Sequence, residues 1–343
     1  MPTSTTGTAR PLYAFQDKLP HLPVPDLKET CAKYLRTVRP LLDDAAFART
    51  EAAVAKFQQP GGLGEQLQQR LQARAADPNV HNWLEAWWNE ISYLGYRDPI
   101  VLNVSFFFAF QDDRLRRVPA TRAASIVTAA MDFREQVVSE TLTPEYAKNT
   151  PLCSLAYSRI FNACRYPVKP SDKLRAFDPS THEHLAVMRK NQVFVFDLVR
   201  DGKRLSTADI ELQLNRIITQ AGEHKAPAIG ALTTEHRDTW ADVREHLLSV
   251  SPRNAATLER LESAVFLLCL DDTAPVTRDE VSAACWHGDG RNRYFDKSLQ
   301  YVVFENGKAG VIIEHAGVDG TQLARLNDTI CDRLAKNQVD HGN

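Results

Sequence analysis

The chain has 343 residues, enough for two domains of ordinary size or one large α/β domain, and 43% of them are hydrophobic. That composition can bury a sizeable core without disulfides or metal ions. The 41 Lys and Arg residues are offset by 43 Asp and Glu residues, so the net charge is −2. This balance gives no support to an electrostatic nucleic-acid binder, and the apolar runs are too short for an integral membrane segment.

The six cysteines form no C-x-x-C pair, so we predict free thiols in a reducing compartment. The N-terminus lacks a basic region followed by an apolar one, and the C-terminal letters VDHGN are not a peroxisomal address. These features predict a cytoplasmic protein, while mitochondrial and peroxisomal locations stay open. His182 and His184 are two residues apart and do not share a helix face, so we expect no metal site there.

The N-terminal part of the chain is predicted to be mainly helical. A proline-rich extended segment, residues 19–25, leads to Asp26, which is placed to cap a first helix that ends near Val38. Apolar periodicity predicts further helices over residues 43–58, 64–76, 83–94 and 121–142, and one from about residue 152 to just before Tyr166. Residues 100–110 fit either a buried strand followed by a loop or a helix.

The C-terminal part adds strands. Residues 184–199 are typical of a hairpin that turns at Lys190-Asn191, and helices are predicted over residues 209–221, 239–250 and 254–269. Residues 300–304 and 309–314 form the clearest strand pair of the chain, because Asn306-Gly307 between them is a favoured hairpin turn. Helices predominate and strands come late, which predicts a mixed α/β layered fold.

The chain contains no phosphate-binding loop, dinucleotide fingerprint, serine-hydrolase elbow or zinc-protease motif. The candidate for chemistry is His315, which ends a predicted buried strand and is followed by Asp319 and Gly320. An imidazole of near-neutral pKa suits proton abstraction from an alcohol or a thiol, and Asp319 can set its tautomer directly or through a basic partner. The competing interpretation is a hydrogen-bonded histidine at a hairpin end, with Asp319 capping the next helix.

The pattern H-x-x-x-D-G at residues 315–320 resembles the active-site motif of CoA-dependent acyltransferases of the chloramphenicol acetyltransferase superfamily. NRYFDKSLQ at residues 292–300 resembles the stretch that precedes the catalytic histidine in carnitine and choline acyltransferases. LPHLPVPDLKET at residues 19–30 is similar to the N-terminal signature of that family, and WWNEISYL at residues 87–94 resembles one of its helices. Further matches occur in order at residues 151–165, 191–194 and 232–240, so the resemblance runs from about Leu19 to Cys331.

The resemblance to choline/carnitine O-acyltransferases, and most of all to the acetyltransferases, implies an α/β fold. In that fold a two-layer mixed sheet is covered by many helices, as in chloramphenicol acetyltransferase. It implies reversible transfer of an acyl group, here acetyl, between CoA and carnitine, with choline as the other acceptor in the family. CoA and acetyl-CoA are then substrates, and no cofactor or metal is required. His315 would be the general base and Asp319 would support it. Trp88 and Tyr93 match positions that approach carnitine, whose trimethylammonium group suits aromatic faces; alternatively they belong to the apolar stripe of a helix.

The resemblance also predicts the organisation of the chain. Residues 1–76 would be the proline-rich entry segment and N-terminal helices, and residues 77–343 the N-terminal catalytic domain. The family's C-terminal half, which supplies most CoA contacts and oxyanion stabilisation, would be absent. We therefore keep a second hypothesis, a catalytically incompetent remnant or partner-binding domain that exposes apolar surface and self-associates. A third is a hydrolase in which His315 and Asp319 activate water.

Overall fold

The structure is a computed structural model that describes residues 10–341. The α-helices of this part are α1 (Leu27–Val38), α2 (Asp44–Phe57), α3 (Leu63–Ala75), α4 (Glu85–Asn89), α5 (Ile100–Asn103), α6 (Pro119–Val138), α7 (Thr207–Ala221), α8 (Arg237–Val250), α9 (Pro252–Glu262), α10 (Arg278–Trp286) and α11 (Gly320–Ala335). The strands are β1 (Phe106–Ala109), β2 (Tyr146–Ala147), β3 (Thr150–Pro151), β4 (Ala163–Tyr166), β5 (Lys173–Ala176), β6 (His184–Arg189), β7 (Gln192–Asp197), β8 (Val199–Arg200), β9 (Lys203–Arg204), β10 (Leu267–Leu270), β11 (Leu299–Val303) and β12 (Ala309–Ile313). No helix among residues 10–341 is both long and apolar enough to cross a bilayer.

The first compact unit is Leu19–Trp88, and it contains α1, α2, α3 and most of α4. Asp26 caps α1 by accepting a hydrogen bond from the backbone N–H of Glu29 at 3.0 Å, and Asp43 caps α2 through Ala46 at 2.7 Å. These carboxylates satisfy backbone donors that the first turn of a helix leaves free. The predicted cap at Asp26 and the first three predicted helices are therefore confirmed.

The second compact unit combines residues 10–18 with residue 89 onward, and it is built on a six-stranded sheet. The strand order is β1-β12-β11-β10-β6-β7, in which β10 is parallel to both neighbours and the other pairs are antiparallel. Each face of this sheet packs into its own apolar core. Alternate residues of β10 belong to different cores: Leu268 and Leu270 to one, Leu267 and Cys269 to the other. The mixed sheet with many helices agrees with the predicted fold class. The predicted boundary between the N-terminal helices (residues 1–76) and a catalytic domain (residues 77–343) is a statement about function, and it stays a prediction.

Both predicted hairpins are confirmed. Lys190 and Asn191 join β6 to β7 with φ values of 50° and 63°, the left-handed backbone that a two-residue hairpin turn requires. Gly307, at φ 77°, lies in the turn between β11 and β12, where Leu299 pairs with Ile313. The chain therefore leaves the sheet at Glu314, immediately before His315. All six cysteines are free thiols and four of them are buried.

Two helix predictions are wrong in part. The helix expected from residue 152 is only a 3₁₀ segment, Leu155–Arg159, and the following residues form β4. The helix expected over residues 254–269 ends at Glu262, and its apolar end is β10. A central strand buried on both faces is apolar throughout, so it lacks the alternation that distinguishes a strand from a buried helix. Residues 100–110 divide into α5 and β1.

Candidate active site

His315 lies in the turn between β12 and α11. Its Nδ1 is 3.0 Å from the backbone oxygen of Val318. Because a carbonyl oxygen only accepts, Nδ1 donates this bond, which places the proton of the neutral imidazole on Nδ1 and the lone pair on Nε2. Gly317 makes the tight turn possible: its φ is 84°, and a Cβ there would lie 2.5 Å from Leu174.

Two aromatic side chains hold the partly buried imidazole. The ring of Tyr93 stacks on that of His315 with centroids 4.7 Å apart and an interplanar angle of 21°. Phe106 meets the same ring edge-on, at 4.7 Å and 61°. Phe106 reaches this place because it pairs with Ile313 across β1 and β12. The imidazole is thus oriented by packing as well as by its hydrogen bond, which is the preorganisation that proton transfer needs.

Asp319 is exposed and is the N-cap residue of α11, where its carboxylate accepts a hydrogen bond from the N–H of Gly320 at 2.7 Å. The partner of Nδ1 is the carbonyl of Val318, so the tautomer of His315 is already set without a direct bond from Asp319. The capping interpretation of Asp319 describes its observed contact. A supporting part in catalysis stays a prediction.

Trp88 and Tyr93 differ in their surroundings. Trp88 lies on α4 at the end of the first compact unit and is 54% exposed. Trp83 packs edge-on against the neighbouring Trp87, and Arg74 stacks over the ring of Trp87. The exposure of Trp88 gives no support to a place in an apolar core. Tyr93 belongs to the second compact unit and is the aromatic side chain that the structure brings to His315. A contact of Trp88 with substrate stays a prediction.

The sequence did not predict a cluster of buried charged side chains that begins at Glu314, the residue before His315. The side chain of Glu314 is fully buried; one carboxylate oxygen accepts from Arg165 at 2.9 Å and the other from the N–H of Ala316 at 3.1 Å. Arg165 is equally buried, and its Nε donates to Asp172 at 2.7 Å. Buried charges need such partners because burial removes their hydration.

The cluster continues away from His315, and we call the whole the buried ion network: its members are Arg97, Arg165, Asp172, Arg237, Asp296 and Glu314. Asp172 accepts from three of its arginines at 2.6 to 2.8 Å. Asp296 accepts from Arg237 and from the indole N–H of Trp240, both at 2.7 Å. Burial alone would lower the pKa of Arg237, but the two carboxylates outweigh it and raise that pKa. Arg237 and Trp240 are both fully buried and direct their polar groups to the carboxylates of this network.

The chain matches the family described as Choline/Carnitine o-acyltransferase over residues 22–343. It is 37% identical to the mitochondrial carnitine O-acetyltransferase of Saccharomyces cerevisiae, over 96% of this chain and 50% of that protein. It is 32% identical to human carnitine O-acetyltransferase, over 98% and 56% of the two chains. The peroxisomal carnitine O-octanoyltransferase of Bos taurus is 34% identical, over 97% and 56%. The chain therefore belongs to the choline/carnitine O-acyltransferase family, and it spans about half the length of these curated relatives.

Proposed function

We propose that this chain carries the general base for reversible transfer of an acetyl group between CoA and carnitine. The observation that supports the proposal most is the hydrogen bond from Nδ1 of His315 to the carbonyl of Val318. It leaves the lone pair on Nε2, which is the form of the imidazole that can accept a proton from a hydroxyl or a thiol. Family membership supports the reaction class.

In the proposed reaction, Nε2 of His315 takes the proton of the carnitine hydroxyl as its oxygen attacks the thioester carbon of acetyl-CoA. A new C–O bond forms and the C–S bond breaks. The sulfur leaves with the electron pair of that bond and receives the proton from Nε2, which regenerates the neutral imidazole. One base serves both directions, because in reverse it takes the proton of the CoA thiol. General-base assistance of this kind contributes about 10²- to 10⁴-fold in rate.

Tyr93 would present its aromatic ring to the trimethylammonium group of the acceptor, since it lies against the base. Contact of Trp88 with substrate stays a prediction from the resemblance. Acetyl is the proposed acyl group because the yeast and human relatives are named carnitine O-acetyltransferase. Relatives named for octanoyl and palmitoyl transfer are 34% and 33% identical, so longer acyl-CoAs belong in the test. The cytoplasmic location and self-association stay predictions.

The test is release of the CoA thiol from acetyl-CoA with and without L-carnitine. We expect carnitine-dependent release that falls by about 10²-fold or more in His315→Ala. His182→Ala is the matched control, because His182 is only partly buried and its Nδ1 lies 3.0 Å from the Asp178 carbonyl rather than in the candidate site. It should behave as the wild type.

The other outcomes separate the alternatives. Release with choline but not carnitine would change the acceptor, and release with octanoyl-CoA but not acetyl-CoA would change the acyl group. Release that needs His315 but no acceptor would favour the hydrolase. A folded chain that releases no thiol from any of these pairs would favour the incompetent or partner-binding alternative and contradict activity of this chain.

A further inference from the structure

Tyr93 lies in an unusual backbone segment. Glu90–Leu94 is a single turn of π-helix, closed by a hydrogen bond from the N–H of Gly95 to the carbonyl of Glu90 at 2.7 Å. Such wide turns are rare and occur often at functional sites. The turn that presents the Tyr93 ring to His315 is also supported from outside, by residues distant in the sequence.

That support comes from two residues that also bind each other. Nη2 of Arg165 donates to the carbonyl of Tyr93 at 2.7 Å, and the N–H of Asp172 donates to the carbonyl of Leu94 at 2.9 Å. The Asp172 carboxylate holds Nε of Arg165 at 2.7 Å. Two consecutive carbonyls of the π-turn are thus attached to one buried ion pair.

The same guanidinium also holds the residues on either side of His315. Nη1 of Arg165 binds Glu314, whose second carboxylate oxygen holds the N–H of Ala316 on the far side of His315. All three nitrogens of Arg165 are therefore used: one for the Tyr93 backbone, one for the residues that flank His315, and one for Asp172. A planar fork with donors in set directions can make these contacts together, whereas a lysine ammonium is a point charge.

We propose that Arg165 is a positioning residue that sets the stacking of Tyr93 on the His315 imidazole by holding both backbone segments to one buried guanidinium. Its value for acyl transfer rests on the proposed function, but the geometry is a property of the folded chain. Arg165 touches backbone and carboxylates rather than the reacting atoms, so it acts through Tyr93 and His315. A purely structural ion pair would stabilise the fold without coupling these two rings.

The test is the proton NMR spectrum of the carbon-bound ring protons of His315 in the full chain, assigned with His315→Asn. A stacked tyrosine shifts such protons upfield, and Tyr93→Leu gives the unstacked reference. We expect Arg165→Lys, in a folded chain, to move the His315 signals to the reference position. Arg175→Lys is the matched control, because Arg175 is half exposed on the neighbouring β5 and pairs with the exposed Glu259. It should leave the signals unchanged.

If Arg165→Lys does not fold, Glu314→Gln provides a milder change. An amide has one acceptor oxygen, so it keeps the bond to Arg165 or to Ala316 but not both. We expect a partial loss of the upfield shift. Full retention of the shift in folded Arg165→Lys, or in Glu314→Gln where the former does not fold, would overturn the proposal.

The acyl-transfer assay adds a second readout. Arg165→Lys should lower kcat roughly 10- to 100-fold, as misplacement of catalytic groups does, and this loss should be absent in the Tyr93→Leu background. Fully additive losses would contradict action through Tyr93. Absence of acyl transfer in the wild type would count against the proposed function alone, since the ring-shift test needs no turnover.

Discussion

Replacing Asp172 by asparagine removes the central negative charge of the buried ion network. That network holds three carboxylates and three guanidinium groups, and the Asp172 side chain has no exposed surface. The introduced amide would keep one acceptor oxygen for three arginine donors and turn its NH₂ toward the remaining ones. The substitution therefore removes the one carboxylate that all three arginines share. Each arginine keeps a single other carboxylate: Asp238 for Arg97, Glu314 for Arg165 and Asp296 for Arg237.

Breaking one partner of a buried ion pair costs about 3–5 kcal/mol, so we expect Asp172→Asn to lower the free energy of unfolding by that amount. Asp332→Asn is the matched control: Asp332 pairs with Lys336 on the surface of α11, with side-chain exposures of 69% and 61%. Its effect should stay below about 0.5 kcal/mol. Urea unfolding followed by circular dichroism at 25 °C measures both. Equal effects of the two substitutions would refute the argument that burial makes this carboxylate essential.

Gly310→Ala should destabilise the chain by about 1–3 kcal/mol, because a Cβ there would lie 2.4 Å from Sγ of Cys285 and 2.5 Å from the carbonyl of Phe108. Adding Cys285→Ala to the Gly310→Ala chain should restore only part of this loss, since the clash with the Phe108 carbonyl remains. Urea unfolding measures both chains, and a Gly310→Ala chain as stable as the wild type would contradict this packing. Burial raises the pKa of the Cys285 thiol to about 12 from an ordinary value of 9.0. As pH rises above 9, the thiol loses its proton in the unfolded chain but keeps it in the folded one. Deprotonation therefore favours the unfolded state, and the free energy of unfolding falls between about pH 9 and 12. Between pH 8 and 10 the wild type should lose about 1.4 kcal/mol more than Cys285→Ala, and parallel pH profiles would disprove this. Asp319→Ala should cost about 1 kcal/mol as a lost N-cap, whereas Asp319→Asn should retain stability, because an amide oxygen caps as well. Thiol release that falls in a stable Asp319→Asn chain would support the predicted catalytic role of the carboxylate, and full release would contradict it.

Local features of the chain were predicted correctly because their physical causes are local. Asp26 caps α1 through a residue three positions on. The turns at Lys190-Asn191 and at Asn306-Gly307 need left-handed backbone, which Asn and Gly adopt with little strain. The position of His315 at the end of a strand follows from the second of these hairpins.

The errors fall where tertiary contacts replace local preference. β10 has the same apolar composition as the buried end of a helix, and only its pairing with β6 and β11 decides that it is a strand. The final turn before Gly95 has helical spacing in the sequence, but it is a π-turn held by residues from β4 and the loop after it. No periodicity within those residues predicts that geometry.

The sequence by itself determined the cap at Asp26, the two hairpin turns and the family, and it made His315 the candidate base. Tertiary structure alone decided the partner of Nδ1, the stacking of Tyr93 and the buried ion network. Arg165 and Glu314 are 149 positions apart in the chain, yet they meet at 2.9 Å. Burial makes such contacts strong, because charges removed from water must find partners within the protein. Which partner each charge finds depends on how the strands pair, and that choice is made only when the sheet assembles.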